Sequence, residues 1–189
     1  MATLYTADRC PYAARVRIVL AEKGLAYDAV EIDLSDRPAW LYDKNPLGRV
    51  PVYEEDEGLV LPESRVIMEY LEERYPEPAL MPPAAAERAL VRLQIERFDQ
   101  NLGDAYYAFR RGDDEGAERL AHCLSLFERN ADRWTDRYTL AEIAYVPWLI
   151  RLRDMLGFDL DPYPSLGERL ERLLARPAIA AEREVVAAL

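Results

Sequence analysis

Four prolines fall between positions 76 and 83, at Pro76, Pro78, Pro82 and Pro83. A proline has no backbone N–H, clashes with the preceding helical turn, and pushes the residue before it into an extended conformation. No helix passes through such a segment. The chain of 189 residues is therefore read as two domains, residues 1–75 and 84–189, joined by a linker at 76–83. Its length suits one large domain or two small ones. Before the prolines, short strand-like runs alternate with helical periods. After them every periodic stretch is helical, and no hairpin signal occurs.

The first half opens with a strand at 2–6 and a helix at 11–23. That helix carries two apolar faces, Val16, Val19 and Leu20 on one and Ala14, Ile18 and Ala21 on the other. Such a pattern predicts a helix packed on two sides. Gly24 suits the residue that ends it. A second strand at 27–32 then runs parallel to the first, because a helix crosses between them. Residues 37–43 form a short helix or turn anchored by Trp40 and Leu41. Pro46, Gly48 and Pro51 lead into a short strand, where proline belongs at an edge or a first position. Glu57-Gly58 makes a turn and 59–61 returns as a hairpin. Pro62-Glu63-Ser64 opens a helix to about 75, with Val66, Ile67, Tyr70 and Leu71 as its buried stripe. The order is βαβαββα.

The second half reads as a long amphipathic helix at 84–111, a break at Gly112-Asp113-Asp114, and a helix from 116 to about 134. Thr139-Leu140-Ala141-Glu142 has the spacing of a capping box, with Tyr138 and Ile143 placed for a hydrophobic staple. The helix it opens runs through Trp148 and Leu152 to Gly157. Two shorter helices, 166–175 and 178–188, are separated at Pro177.

Cys10 stands where the first strand meets the first helix, followed by Pro11 at the first helical position. At a helix N-cap the unpaired N–H groups and the dipole favour a thiolate, with Arg9 and Arg15 adding positive potential. Two readings stand: a small residue capping a helix, or a reactive cysteine. Cys123 and His122 lie mid-helix and lack the ligand count of a metal site; Cys123 reads as a buried helix residue. Tyr106, Tyr107 and Phe109 fit either an apolar substrate pocket or packing between helices.

A net charge of −11 argues against general nucleic-acid binding, which needs cations to displace counterions. No apolar run reaches the ~18 residues of a membrane helix, and no secretory leader is visible. Two cysteines make no disulfide framework, so a reducing cytoplasm is expected. Lysine occurs only at Lys23 and Lys44; the other cations are arginine.

A strand–helix–strand unit with a cysteine at the first helix N-terminus, a Val-Pro before a hairpin, and a helical domain behind a proline linker resembles a cytosolic glutathione transferase. The likeness rests on Cys10-Pro11-Tyr12, on Asn45 to Pro51 (NPLGRVP), on Glu63-Ser64-Arg65-Val66-Ile67, and on Thr139 to Glu142 followed by Pro147-Trp148. It implies a thioredoxin-like N-terminal domain followed by an all-α domain. It implies glutathione as co-substrate without a metal, a small electrophile or disulfide as second substrate, and a homodimer. By the same resemblance Val50-Pro51 matches the family's cis-proline pair, and Val50 offers its main chain to the cysteinyl part of glutathione. Ser64 takes the γ-glutamyl carboxylate and Glu63 the ammonium; equally, both simply cap their helix. Arg49 lies beside the tripeptide groove, within reach of the glycine carboxylate. Cys10, with Tyr12 near it, points to the cysteine-containing classes, which favour thiol–disulfide exchange. Ala13 stands where a dithiol glutaredoxin has its second cysteine, so a monothiol route is implied.

The runs at 16–24 and 63–74, with Leu80-Met81-Pro82 after them, are also similar to stringent starvation protein A. That is a glutathione transferase-fold partner of bacterial RNA polymerase without transferase activity. The acidic composition suits a basic partner, whereas the retained Cys10-Pro11 favours the enzyme.

Overall fold

The computed structural model describes residues 1–130 and 137–189. The chain forms two compact units, Met1–Leu80 with Ala188–Leu189, and Met81–Ala187.

The first unit contains β1 (Ala2–Thr6), α1 (Pro11–Glu22), β2 (Tyr27–Glu31), α2 (Leu41–Lys44), β3 (Val52–Glu54), β4 (Val60–Pro62) and α3 (Ser64–Arg74). The sheet order is β2-β1-β3-β4. β1 pairs in parallel with β2, from Ala2 opposite Tyr27 to Thr6 opposite Glu31. It pairs antiparallel with β3 through Leu4 opposite Tyr53, and β3 continues to β4 through Tyr53 opposite Leu61. The parallel pair follows from the α1 crossover, and the antiparallel β3–β4 pair from the tight turn at Gly58. This is a thioredoxin-like arrangement.

α1 is buried over most of its surface, including Ala13, Ala14, Val16, Ile18, Val19 and Leu20. Ala21, expected on a buried face, is exposed, because it lies in the last turn where the helix leaves the core. α3 also differs from the expected stripe. Its buried face is Ser64, Ile67, Met68, Leu71 and Glu72, while Val66 is 51% exposed and Tyr70 half-buried. The spacing i, i+3, i+4, i+7, i+8 is one continuous helical face. Two residues break the apolar pattern on it, and both have polar partners. Around α2, Leu41 is fully buried, whereas Trp40 stays partly exposed with its ring 5.3 Å from that of Tyr5.

The proline segment is fastened to this unit at its near end. Lys23 Nζ donates to the carbonyls of Tyr75 (2.6 Å) and Pro78 (3.0 Å) and pairs with Glu72 at 2.8 Å. The Glu72 carboxylate accepts from Leu80 N–H at 3.2 and 3.1 Å. A buried pair is tolerable only when its remaining hydrogen-bonding capacity is filled, as these carbonyls and this amide do.

The second unit contains α4 (Ala85–Arg111), α5 (Gly116–Arg129), α6 (Leu140–Ile150), a π-helical turn at Arg151–Met155, α7 (Pro164–Leu174) and α8 (Pro177–Ala187). The expected end of the second helix near Trp134 lies outside the described residues. α4 ends at Gly112, which takes the left-handed conformation (φ 73°). Gly116 begins α5 where a Cβ would come 2.6 Å from the Phe109 nitrogen, so only glycine lets the two helices turn this closely. All eleven residues of α6 are buried. The capping box forms: Thr139 Oγ1 accepts from Ala141 N–H at 3.2 Å, and Glu142 accepts from Thr139 N–H at 2.8 Å. Phe98 centres an aromatic cluster, 5.2 Å from Trp148 and 5.6 Å from Phe127. Arg151 donates to the Pro147 carbonyl at 3.1 Å and pairs with buried Glu182 at 2.9 Å. Among the described residues no helix is long and apolar enough to cross a membrane.

Candidate active site

The local sequence puts Cys10 at the head of α1. Pro11 occupies the first helical position, and Cys10 has extended backbone (φ −89°, ψ 112°) as N-cap. Its N–H donates to Ala7 O at 2.9 Å, closing a turn out of β1, and its carbonyl accepts from Ala14 at 3.1 Å. The side chain is 7% exposed. Sγ lies 3.6 Å from the Val50 carbonyl. Cys10 and Val50 share one apolar cluster with Ala7, Ala13, Ile32 and Leu41, against which Tyr12 also packs.

Val50 is buried and the Val50–Pro51 peptide is cis. The loop before it is held by Asn45, whose side chain donates to Arg49 O at 3.0 Å and accepts from Leu47 N–H at 3.0 Å. Gly48 there has φ 59°, and a Cβ would sit 2.5 Å from the Tyr42 ring. Arg49 itself is exposed.

Glu63 and Ser64 head α3. Glu63 is exposed and has φ 72°, ψ 110°; among the described residues it is the non-glycine with positive φ. Such a conformation costs on the order of 1–3 kcal/mol and is enriched at ligand sites. Ser64 is buried, and its hydroxyl accepts from Arg15 Nη1 at 3.3 Å. Arg15, expected to contribute potential beside Cys10, is wholly buried. It reaches across to α3, its guanidinium 5.1 Å from the Tyr12 ring centre. Hydrogen bonds thus join Cys10 to Val50 and Ser64 to Arg15, and Arg15 lies on the same helix that Cys10 heads. Arg49 and Glu63 are at the surface.

The N-terminal domain model of the glutathione S-transferases matches residues 4–79. The chain is 46% identical to a stringent starvation protein A homologue of Haemophilus influenzae, over 92% of this chain and 86% of that protein. It is 33% identical to glutathione S-transferase omega-1 of Rattus norvegicus, over 86% of this chain and 72% of that one. The chain belongs to the glutathione S-transferase superfamily. A solved glutathione S-transferase of Methylobacillus flagellatus with glutathione bound superposes with a TM-score of 0.85. It is 28% identical, covering 96% of this chain and 98% of that one.

Tyr5 on β1, and Cys123, Tyr106, Tyr107 and Phe109 singled out from the sequence, have structural surroundings. The Tyr5 hydroxyl donates to Glu54 at 2.6 Å, and Lys44 both pairs with Glu54 at 2.5 Å and lies 5.0 Å from the Tyr5 ring centre. The Cys123 thiol donates to Asn101 O at 3.2 Å, and burial pushes its pKa up. Tyr106 and Tyr107 pack edge to face at 5.2 Å, as do Phe109 and Phe158 at 5.3 Å. Among the described residues no group of His, Cys, Asp and Glu is arranged to hold a metal ion. Sequence reasoning missed the Arg15–Ser64 link. An arginine amid the apolar positions of α1 was the available signal, since so polar a side chain is buried only with partners.

Proposed function

We propose that this family member binds glutathione beside Cys10 and uses that cysteine for thiol–disulfide exchange. The observation that supports the reading is the position of the Cys10 thiol, at the N-cap of α1 and 3.6 Å from the Val50 main chain. A peptide adding to Val50 as an extra strand would carry its own sulfur toward Cys10. The N-terminus of α3, at Glu63 and Ser64, suits the α-carboxylate and ammonium of the γ-glutamyl group. Exposed Arg49 is assigned to the glycine carboxylate, with Tyr12 and Pro51 lining the cysteinyl part.

The cycle needs one thiol. The Cys10 thiolate attacks the glutathione sulfur of a mixed disulfide, forming a Cys10–glutathione disulfide while the other thiol leaves and takes a proton. A second glutathione thiolate then attacks that disulfide, forming oxidised glutathione and freeing Cys10. The substrate disulfide is reduced and two glutathione molecules are joined. Ala13 leaves no second cysteine at the spacing of an internal disulfide. Conjugation to an electrophile is the lesser activity, since a cysteine is a poorer hydrogen-bond donor to a bound thiolate than serine or tyrosine. The protein is assigned to the cytoplasm and to a homodimer, the latter supported by exposed Val66 on α3 and Leu90 and Leu93 on α4.

The test pairs a glutathione thermal shift with a thioltransferase assay of Cys10→Ser and Cys10→Ala. Both variants are expected to lose exchange while glutathione still raises their melting temperature. Full exchange activity in both variants would sink the assignment.

The 46% identity to a stringent starvation protein A homologue favours a second reading, a non-enzymatic regulator that binds RNA polymerase. Absence of any shift at millimolar glutathione, with co-purification of RNA polymerase, would establish it instead.

A further inference from the structure

The turn between β1 and α1 is gripped by the helix it feeds. Arg17 follows Cys10 at i+7, two turns along α1 and on the same side. Helical side chains lean back toward the N-terminus, so the Arg17 guanidinium reaches the chain ahead of the helix. There Nη1 donates to the Thr6 hydroxyl at 2.7 Å and to the Ala7 carbonyl at 3.4 Å, and it pairs with Asp8 at 3.6 Å. One guanidinium thus engages successive residues of the turn. Its side chain is 12% exposed, and Thr6 is buried.

Ala7 is where this grip meets Cys10. Its carbonyl accepts from the Cys10 N–H at 2.9 Å as well as from Arg17, which uses both lone pairs. The end of β2 holds the same turn: Ile32 N–H donates to Thr6 O at 2.8 Å, and Asp8 N–H donates to Glu31 Oε1 at 2.8 Å. The Cys10 side chain makes no capping bond to α1. The turn, through Ala7, and packing against Ile32, Leu41 and Val50 therefore set where the thiol sits. Bonds from a guanidinium are roughly twice as strong as neutral ones, which gives the Thr6 and Ala7 contacts their weight. The Asp8 carboxylate is 49% exposed, so its pairing adds little.

We infer that Arg17 is a positioning residue for Cys10: bonded to Thr6 and Ala7, it holds the turn that keeps the thiol at the head of α1. The inference builds on the assignment of Cys10 as the exchanging thiol. Arg17 acts through Ala7 and the turn, not on the reacting sulfur. Without the clamp the turn loosens, and Cys10 spends less of its time where the unpaired N–H groups of α1 favour a thiolate.

The experiment is iodoacetamide alkylation of the full chain across pH, with Cys10 told apart from Cys123 by peptide mass spectrometry. Wild type, Arg17→Met and Thr6→Val are compared, and circular dichroism reports that each is folded at the assay temperature. The midpoint of the Cys10 rate–pH profile is expected to rise by about half a pH unit in Arg17→Met, the scale of a helix-terminus effect. Thr6→Val keeps the cation and removes its nearest acceptor, and a smaller rise is expected there. Should Arg17→Met not fold, Thr6→Val decides alone. A merely structural clamp would lower the urea midpoint and leave the alkylation midpoint in place. The inference is overturned if the folded variants keep or lower the wild-type alkylation midpoint. It is equally overturned if Arg17→Met shifts and Thr6→Val does not, since charge alone would then be acting. Alkylation needs neither glutathione nor exchange activity. Failure of the exchange assignment would instead show as full thioltransferase activity in Cys10→Ala.

Discussion

The Arg15 guanidinium, wholly buried in α1, donates to the Ser64 hydroxyl at 3.3 Å on α3. The helix that Cys10 heads is thereby tied to the helix whose N-terminus is assigned to the glutamyl group. Arg15→Met is expected to lower stability by about 1.5–3 kcal/mol, the scale of hydrogen bonds to a charged group. Ser64→Ala is expected to lower it too and also to weaken glutathione binding. Because the two residues touch, the double variant costs less than the sum of the singles. Urea denaturation of the three variants measures this, and strict additivity would refute the coupling.

Lys23 and Glu72 are almost fully buried and lie 2.8 Å apart. Lys23→Met leaves the Glu72 carboxylate without its cation, at an expected cost of about 3–5 kcal/mol. Lys23→Met/Glu72→Leu removes both charges, and much of the loss should be recovered. Melting of both variants decides it: a double variant no better than Lys23→Met would show that the main-chain contacts, not the charge balance, dominate.

The trio Tyr5, Lys44 and Glu54 sets a pH dependence. The hydrogen bond from Lys44, then that from Tyr5, holds the Glu54 carboxyl below its usual range; Glu54 in turn raises Lys44. A depressed carboxyl pKa stabilises the fold above the unfolded value, and that contribution is lost as pH falls through the folded one. A raised lysine pKa stabilises below the ordinary lysine value and is lost as pH rises through the folded one. Glu54→Gln is therefore expected to flatten the stability profile at both its acid and alkaline ends. Denaturation midpoints measured across pH check this, and parallel profiles for variant and wild type would contradict it.

Gly116 gives the α4–α5 turn its tightness. An added Cβ would lie 2.6 Å from the Phe109 nitrogen and 2.7 Å from the Ala108 carbonyl carbon, both main-chain atoms that cannot swing aside. Gly116→Ala is expected to cost about 1–3 kcal/mol through backbone displacement. A melting temperature equal to the wild type would show that the turn has slack.

What the sequence determined by itself was local. Pro11 after Cys10 set the head of α1, the Thr139–Glu142 spacing set the cap of α6, and the prolines at 76–83 kept helix out of that segment. Each depends on a backbone N–H or a dihedral angle within a few residues, so spacing alone reports it. The strand–helix alternation likewise implied the parallel β1–β2 pair and the antiparallel hairpin. The tertiary structure decided which helix faces turn inward and which polar groups meet. On α3 it buried Ser64, Met68 and Glu72 and left Val66 exposed. It joined Arg15 to Ser64 across 49 positions and Lys23 to Pro78 across 55. A helix with apolar residues on several sides is oriented by what packs against it, and a buried charge is stable only beside a partner brought from far along the chain.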